Sequence, residues 1–266
     1  KKLFDALKLV CETESVFYIT TELCPAHRRV VIEQVKKRLR DGLPCRVVAT
    51  QCIEAGVDLD FDSVFRALAP LESIIQAAGR CNRNGRHPEG GQVLVFLPDE
   101  ERLYPDTWYE KAAMLVSALH MEKPIDLMNP SDIQRYYQKL FWKLKGKKEL
   151  SEAIQMQDYA GAEKHYRIIK NDGVQVLVPY EPQNEKFEAL KKDALEHGVT
   201  AEWMHEAAAL CVTAYANDDF NCYAEQLYFA GRRNEGRQPS GYWVLRRKDD
   251  YHMDTGMQLK NSFSIW

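Results

Sequence analysis

Short apolar runs alternate with helical patterns along the first hundred residues of the chain. Strands are predicted near 16–20, 45–50, 64–68 and 92–97, and helices over about 25–40 and from Leu71 onward. In the first helix Val31, Val35 and Leu39 recur on one face, and Gly42 marks its end. Strands separated by helices in this order form parallel sheets with right-handed connections. The pattern therefore predicts an α/β fold built on a parallel sheet.

Two arginines and a glutamine are concentrated in the segment 76–83, just after the apolar start of a helix. If that helix continues, Gln76, Arg80 and Arg83 stand at i, i+4 and i+7 and point to one spot. Guanidinium groups bind phosphate oxygens bidentately and keep their charge, so the three side chains suit a cluster of phosphate oxygens. Gly79, which lies between them, permits close backbone approach. A solvated basic helix end is the alternative interpretation.

The residues that follow the predicted strand at 45–50 are also typical of a ligand site. Thr50, Glu54, Gly56 and Asp58 come directly after this apolar strand. In α/β folds, ligand-binding groups lie in the loops at the carboxyl ends of the strands. The sequence of this loop therefore predicts a second set of binding residues, on the same α/β fold as the arginines.

These two segments resemble motifs V and VI of the superfamily 2 helicases. Residues 50–58 match T-x-x-x-x-x-G-x-D, and residues 76–83 match Q-x-x-G-R-x-x-R. The sequences of residues 54–60 and 76–86, and of 23–29 at the position of motif IV, are similar to those of the CRISPR-associated helicase–nuclease of type I interference systems. The matching motifs cover roughly the first hundred residues. They imply that the predicted parallel sheet is the second RecA-like lobe of such an enzyme.

The resemblance implies a role for each matched residue. Arg80 and Arg83 are expected to act as arginine fingers on the γ-phosphate of ATP, and Gln76 to position the phosphate or the attacking water. Gly56, Asp58 and Gly79 are assigned to ATP binding, with Asp58 either meeting the nucleotide or coupling the two lobes. Thr50, at the strand tip, is expected to donate to a DNA phosphate. ATP and Mg²⁺ are the implied cofactors, and no residue of this chain is assigned to a metal.

The chain divides, on this interpretation, into three parts. Residues 1–104 form the second RecA-like lobe, 105–150 are linker helices, and 151–266 are a small α+β accessory domain. In the last part, residues 174–180 are predicted to be an edge strand that ends at Pro179, and helices are predicted over 184–197 and from Thr200. The resemblance implies that this domain covers the DNA path and meets the crRNA-guided surveillance complex.

The stretch 133–148 interleaves aromatic and basic residues. Aromatic rings stack on unpaired bases and lysines neutralise phosphates, so Lys143 and Lys145 are assigned to DNA binding. The helical spacing of Ile133, Tyr137, Leu140 and Leu144 equally suits a linker helix packed on the lobe. We favour the packed helix, with the lysines bordering single-stranded DNA.

Composition excludes several other classes of protein. A net charge of −3 does not indicate general nucleic-acid binding, and no apolar run approaches the ~20 residues that span a bilayer. Seven cysteines without a C-x-x-C pair indicate reduced thiols in a cytoplasmic protein rather than disulfides or a zinc site. The set of His197, Glu202, His205 and Glu206 lacks an i, i+4 histidine pair and is expected to be an exposed helix face.

Several catalytic motifs of such an enzyme are absent from the sequence. It contains no P-loop, no acidic magnesium motif before motif V, and no histidine followed by aspartate, the pair that the family's nuclease domain uses. We therefore expect a fragment that is inactive alone and that needs a first RecA-like domain and a metal-dependent nuclease domain. The main hypothesis is the C-terminal half of an ATP-dependent single-stranded-DNA translocase of CRISPR interference. The alternatives are a repair or restriction helicase of the same superfamily and a non-catalytic docking module.

Overall fold

The computed structural model describes residues 1–53, 56–99, 104, 107–143, 148–165, 173–215, 220–231 and 238–259. The chain separates into two compact units. Unit 1 joins Lys1–Val57 to Asp172–Trp266, and unit 2 is Asp58–Asn171. These units group the chain differently from the predicted parts 1–104, 105–150 and 151–266, because residues 172–266 share a unit with residues 1–57.

The α-helices and β-strands follow one another in mixed order. The helices are α1 (Lys2–Val10), α2 (Pro25–Arg40), α3 (Leu71–Ala78), α4 (Thr107–Glu122), α5 (Pro130–Lys143), α6 (Lys148–Gln155), α7 (Tyr159–His165), α8 (Asn184–His197), α9 (Ala201–Ala207) and α10 (Phe220–Tyr223). The strands are β1 (Val16–Ile19), β2 (Arg46–Ala49), β3 (Ser63–Ala67), β4 (Gln92–Phe96), β5 (Val174–Leu177), β6 (Cys211–Ala214), β7 (Ala224–Tyr228), β8 (Pro239–Leu245), β9 (Tyr251–His252) and β10 (Gly256–Met257). No described helix combines the length and apolar character that crossing a bilayer requires.

Unit 1 contains a parallel strand pair and a mixed four-stranded sheet. Strands β1 and β2 pair in parallel, with Val16 opposite Arg46. The larger sheet has the order β6-β5-β8-β7, in which β5 pairs with β6 on one side and with β8 on the other. The prediction that 174–180 is an edge strand is therefore wrong. Pro179 does not interrupt the ladder because β5 ends two residues before it.

The main core of unit 1 joins residues from both ends of the chain. Trp203, Phe187 and Leu210 pack with the strands of the four-stranded sheet. Cys24, just before α2, and Ala26, in its first turn, belong to the same cluster. The indole N–H of Trp203 donates to the Leu190 carbonyl at 2.9 Å, which satisfies its buried polar atom. The predicted helices over 25–40 and 184–197 are confirmed, and Thr200 caps α9 by accepting from the Trp203 N–H.

Unit 2 packs three helices around a second core. The buried members of this core come from α3, α4, α5 and the segment just before α3; they are Ala69, Leu71, Ile74, Ala112, Leu115, Val116, Leu119, Tyr136 and Leu140. The Tyr136 hydroxyl accepts from the Leu71 N–H at 3.4 Å and donates to Glu72 at 3.4 Å, so α5 is fixed to the start of α3. Strands β3 and β4 pair in parallel, with Phe65 opposite Leu94.

The positions of the four predicted strands in the first hundred residues are confirmed. They are hydrogen-bonded as two parallel pairs, β1–β2 in unit 1 and β3–β4 in unit 2. The fold is therefore mixed α/β, with small sheets that are parallel near the amino terminus and mixed near the carboxyl terminus.

Candidate functional site: the turn after helix α3

Helix α3 ends earlier than its sequence pattern predicts. Its last residue is Ala78, and the Gly79 N–H still donates to the Ile75 carbonyl at 2.9 Å. The next two N–H groups, of Arg80 and Cys81, bond only three residues back, to Ala77 and Ala78. The predicted i, i+4, i+7 arrangement of Gln76, Arg80 and Arg83 is therefore wrong, because both arginines lie in a turn beyond the helix.

The turn is bent at a residue in the left-handed conformation. Asn82 has a φ of 46°, which asparagine tolerates better than most residues. Its side-chain amide donates to the His87 carbonyl at 2.8 Å and accepts from the His87 N–H at 3.0 Å. These two bonds close a ring over residues 82–87, so the chain after Arg83 folds back on the turn.

The segment 58–62, which begins at the last residue of the segment 50–58, holds this turn through its backbone. The Phe61 N–H donates to the Arg80 carbonyl at 2.9 Å, and the Asn82 N–H donates to the Phe61 carbonyl at 2.8 Å. Phe61 and Cys81 thereby form an isolated parallel bridge. Phe61, three residues after the segment 50–58, is thus hydrogen-bonded to Arg80 and Asn82 of the segment 76–83 within unit 2.

Asp60 extends this connection with its side chain. The carboxylate is 8% exposed and accepts from the Arg83 N–H at 2.7 Å and from the Asn84 N–H at 3.3 Å. The Arg86 Nε lies 3.2 Å from the same oxygen that Asn84 reaches. Asp60 is not among the residues that the sequence predicted for the site. The alternation of Asp58, buried Leu59 and Asp60 could have identified it, since residues i and i+2 of an extended segment face the same way.

Asp58 contacts the side chain of Arg83. The Arg83 Nε lies 3.0 Å from an Asp58 carboxylate oxygen, and the two side chains are 45% and 76% exposed. Exposed ion pairs contribute roughly 0–1 kcal/mol, so a ligand of higher negative charge could displace the aspartate. The structure therefore brings together two of the predicted site residues, one from each motif.

The remaining predicted residues of unit 2 lie along α3 and its end. Gln76 is exposed in the last turn of the helix, Gly79 is exposed directly after it, and Arg80 is half-buried. Gly79 has a φ of −65°, so this position does not need glycine for its backbone conformation. Nothing in the backbone geometry of Gly79 conflicts with a role in close approach of a ligand.

Thr50 and Gly56 belong to unit 1. Thr50 directly follows β2; its N–H donates to the Ile19 carbonyl at 3.1 Å, and its hydroxyl donates to the Cys52 sulfur at 3.4 Å. Gly56 has a φ of +74°, a conformation that side-chain-bearing residues rarely adopt. Glu54, between them, lies outside the described residues.

The predicted DNA-binding stretch is only partly described. Leu140 is buried, and Ile133 and Tyr137 are partly buried against the second core, so the packed-helix interpretation of α5 is supported. Lys143 is the last residue of α5, and its side chain, like Lys145 and Leu144 as a whole, lies outside what the structure describes. Phe141 and Trp142 are 65% and 84% exposed.

Neither a metal cluster nor a disulfide is found in the part of the chain that the structure describes. No group of three His, Cys, Asp or Glu side chains there could hold a metal ion, and the seven cysteines are free thiols. Glu202, His205 and Glu206 are exposed on α9, and His197 pairs with Asp193 one turn earlier on α8 at 2.9 Å. The interpretation of these residues as exposed helix faces is confirmed.

Known proteins share both the sequence of the motif region and the fold. A family model described as CRISPR-associated nuclease/helicase Cas3, C-terminal, matches residues 1–86. The CRISPR-associated nuclease/helicase Cas3 of Haloferax volcanii is 51% identical over 83 residues, which are 29% of this chain and 9% of that protein. The predicted resemblance is confirmed. Residues 1–86 are Cas3-like.

Solved structures extend the likeness in fold beyond the motifs. The crystal structure of T. fusca Cas3-ATP has a TM-score of 0.56 at 14% identity, over 92% of this chain and 34% of that chain. A structure described as a CRISPR RNA-guided surveillance complex, pre-nicking, has a TM-score of 0.55 at 14% identity, over 92% of this chain and 36% of the matched chain. At this identity the likeness concerns the fold. This chain thus spans about a third of the solved chains that it matches.

Proposed function

We propose that this chain is the C-terminal half of an ATP-dependent DNA helicase–nuclease of CRISPR interference. In this proposal residues 1–104 provide the second RecA-like lobe, 105–150 the linker helices and 151–266 an accessory domain. The Cas3-like sequence of residues 1–86 and the fold shared over 92% of the chain support it. The parallel pairing of β1 with β2 and of β3 with β4 is consistent with a RecA-like lobe, whose sheet is parallel.

The observation that carries the proposal is the junction of motifs V and VI in unit 2. There the Arg83 guanidinium lies against the exposed carboxylate of Asp58, while its backbone N–H is bound by buried Asp60. A fixed backbone with an exposed, weakly paired guanidinium is the arrangement that an arginine finger requires. The cation is preorganised and can exchange a carboxylate partner for phosphate oxygens.

Each site residue then has a defined task. Arg83 and Arg80 stabilise charge on the γ-phosphate of ATP, and Gln76 orients the phosphate or the attacking water. Gly56, Asp58 and Gly79 contribute to the nucleotide site. The Mg²⁺ that accompanies ATP would be held by the first RecA-like domain, since neither a P-loop nor an acidic magnesium motif occurs in this sequence.

Single-stranded DNA is the proposed track of the enzyme. Thr50, at the end of β2, would donate to a phosphate, and Lys143 and Lys145 would neutralise others beside the exposed rings of Phe141 and Trp142. The proposed partners are the crRNA-guided surveillance complex and the nuclease and first RecA-like domains of the same cytoplasmic enzyme. A divalent metal in that nuclease domain would cleave the translocated strand.

The decisive experiment places Arg80→Ala and Arg83→Ala separately in the full-length parent protein. Loss of an arginine finger lowers turnover by about 10³–10⁵. We expect DNA-stimulated ATP hydrolysis to fall on this scale, with the thermal midpoint little changed because both side chains are at least partly exposed. Arg247→Ala, an exposed arginine of unit 1, is the matched control and should retain normal turnover. Near-normal hydrolysis in both finger variants would overturn the proposal.

A further inference from the structure

Asp60 binds one short stretch of chain with both of its carboxylate oxygens. One oxygen accepts from the Arg83 N–H, and the other accepts from the Asn84 N–H and lies 3.2 Å from the Arg86 Nε. A buried carboxylate is unfavourable unless its oxygens are satisfied by donors. Here the donors come from the backbone and side chains of residues 83–86. The position of this turn and the burial of Asp60 therefore depend on each other.

The two aspartates of the segment 58–60 act on different parts of Arg83. Asp60 holds the backbone N–H at 2.7 Å, while Asp58 contacts the guanidinium at 3.0 Å. Leu59 between them is 2% exposed, so the segment is anchored in the protein interior. The Asp58 contact is exposed and exchangeable, whereas the Asp60 contact is buried and fixes where the Arg83 side chain begins.

We propose that Asp60 is the positioning residue of the Arg83 finger: it fixes the backbone of the motif VI turn so that the Arg83 guanidinium can move from Asp58 to a nucleotide phosphate. This inference rests on the proposed function, since it assigns Asp60 a task within the same ATP site. Asp60 itself touches neither substrate nor the reacting atoms. A finger whose backbone is free to shift loses alignment with the transferred phosphate, and misplacement of about 1 Å can cost about 10²-fold in rate.

The substitution Asp60→Asn tests this role with nearly unchanged shape. The amide retains one acceptor oxygen but presents an NH₂ group to donors on its other side, so it cannot accept from all three donors. In the full-length parent protein we expect kcat for DNA-stimulated ATP hydrolysis to fall about 10- to 100-fold. KM for ATP and nucleotide-free binding of single-stranded DNA should change less than about threefold.

A double-mutant comparison separates positioning of Arg83 from a general structural effect. In an Arg83→Ala background, single-turnover hydrolysis followed over hours should be equally slow with and without the Asp60→Asn substitution, because the residue that Asp60 positions is gone. If Asp60→Asn lowers the rate by the same factor in both backgrounds, Asp60 acts independently of Arg83 and the inference is overturned. If Arg83→Ala alone retains normal turnover, the proposed function fails instead.

Arg86→Gln provides a second variant should Asp60→Asn not fold. It removes only the half-exposed guanidinium that faces Asp60 and leaves both backbone bonds in place. We expect a smaller decrease of kcat, about three- to tenfold, that also disappears in the Arg83→Ala background. A normal kcat in Arg86→Gln, combined with either normal turnover or misfolding in Asp60→Asn, would overturn the inference.

Discussion

The hydroxyl of Tyr251 lies 2.9 Å from Nδ1 of His27, although 224 residues separate them along the chain. The same hydroxyl accepts from the Cys24 N–H at 3.1 Å and lies 3.3 Å from the Cys24 sulfur. Cys24 directly precedes α2 and His27 lies in its first turn, where its ring also stacks on Tyr180 with ring centroids 4.7 Å apart. The carboxyl-terminal residues of unit 1 are thus bound to the helix that follows β1.

Tyr251→Phe should destabilise unit 1 without removing any apolar contact. The change leaves the buried Cys24 N–H and the His27 ring without their shared partner, and an unsatisfied buried polar group costs about 1–3 kcal/mol. Denaturant unfolding of the 266-residue chain measures this decrease in stability. Tyr215→Phe removes an exposed hydroxyl and should change the free energy of unfolding by less than about 0.5 kcal/mol. Equal stability of both variants would contradict a structural role for the Tyr251 hydroxyl.

The stability of unit 1 should also depend on pH through His27. Burial lowers the pKa of His27 below its ordinary value of 6.5, and this outweighs the hydrogen bond with Met253 and the charge of Asp254, which raise it. The unfolded chain therefore takes up a proton at a higher pH than the folded protein does. Above pH 6.5 the free energy of unfolding should not depend on His27. As the pH decreases from 6.5 toward the folded-state pKa, it should fall by up to about 1.4 kcal/mol per pH unit.

His27→Gln provides the control for this pH dependence. Glutamine does not titrate but can still hydrogen-bond to the Tyr251 hydroxyl. The free energy of unfolding, measured between about pH 5 and 8, should therefore decline less steeply with falling pH in the variant than in the natural protein. Parallel curves for the two proteins would show that His27 is not the titrating group.

Local patterns in the sequence account for the helices and strands, because these depend on nearby residues. Pro25 at the first turn and Gly42 after the last bound α2 at its predicted ends. The same patterns could not predict the end of α3. A longer α3 would have kept Arg80 and Arg83 helical. Instead, both residues lie in the turn, where their backbone groups are hydrogen-bonded to Phe61 and Asp60, about twenty residues earlier in the chain. The contact of Tyr251 with His27 was likewise beyond local patterns, because 224 residues separate the two along the chain.

Gly79→Ala should separate the needs of the fold from those of the ligand site. Gly79 has a φ of −65°, and a Cβ there would meet its nearest atoms, two carbonyl oxygens, at an ordinary 3.5 Å. The 266-residue chain should therefore keep or gain stability, by about 0.4–1 kcal/mol. If a nucleotide phosphate approaches this backbone, the added methyl group should lower ATP turnover of the full-length protein. Unchanged turnover would remove Gly79 from the proposed site.

Gly256→Ala is the opposite case and serves as the comparison. Gly256 has a φ of +78°, and a Cβ at this position would overlap the backbone of Glu22. Its neighbour Met257 donates to the Glu22 carbonyl at 2.9 Å, so the strand cannot move away without breaking that bond. The variant should be less stable by more than about 1 kcal/mol. A lower thermal midpoint in Gly256→Ala but not in Gly79→Ala would confirm that only the former glycine is required by the fold.

Trp142→Ala should weaken binding of single-stranded DNA without destabilising the protein. Trp142 is 84% exposed at the end of α5, and next to it the Phe141 ring is stacked on Tyr137 at 5.9 Å. Stacking of a base on an aromatic ring is worth about 1–3 kcal/mol, so the affinity of the full-length protein should fall about 5- to 150-fold. Trp108→Ala, which removes a 43% exposed tryptophan from α4, is the matched control and should bind normally.

The dependence of binding on salt distinguishes this ring from the neighbouring lysines. Removing an aromatic side chain breaks no bond to a phosphate, so Trp142→Ala should lower the affinity at every salt concentration and leave the slope of log affinity against log salt unchanged. Charge reversal at Lys143 and Lys145 should instead flatten that slope by roughly one for each phosphate that is no longer neutralised. One face of α5 packs on α3 and α4 through the buried side chains of Tyr136 and Leu140. If neither change affects binding of single-stranded DNA, the opposite face has no role in binding and α5 is only a packed linker helix.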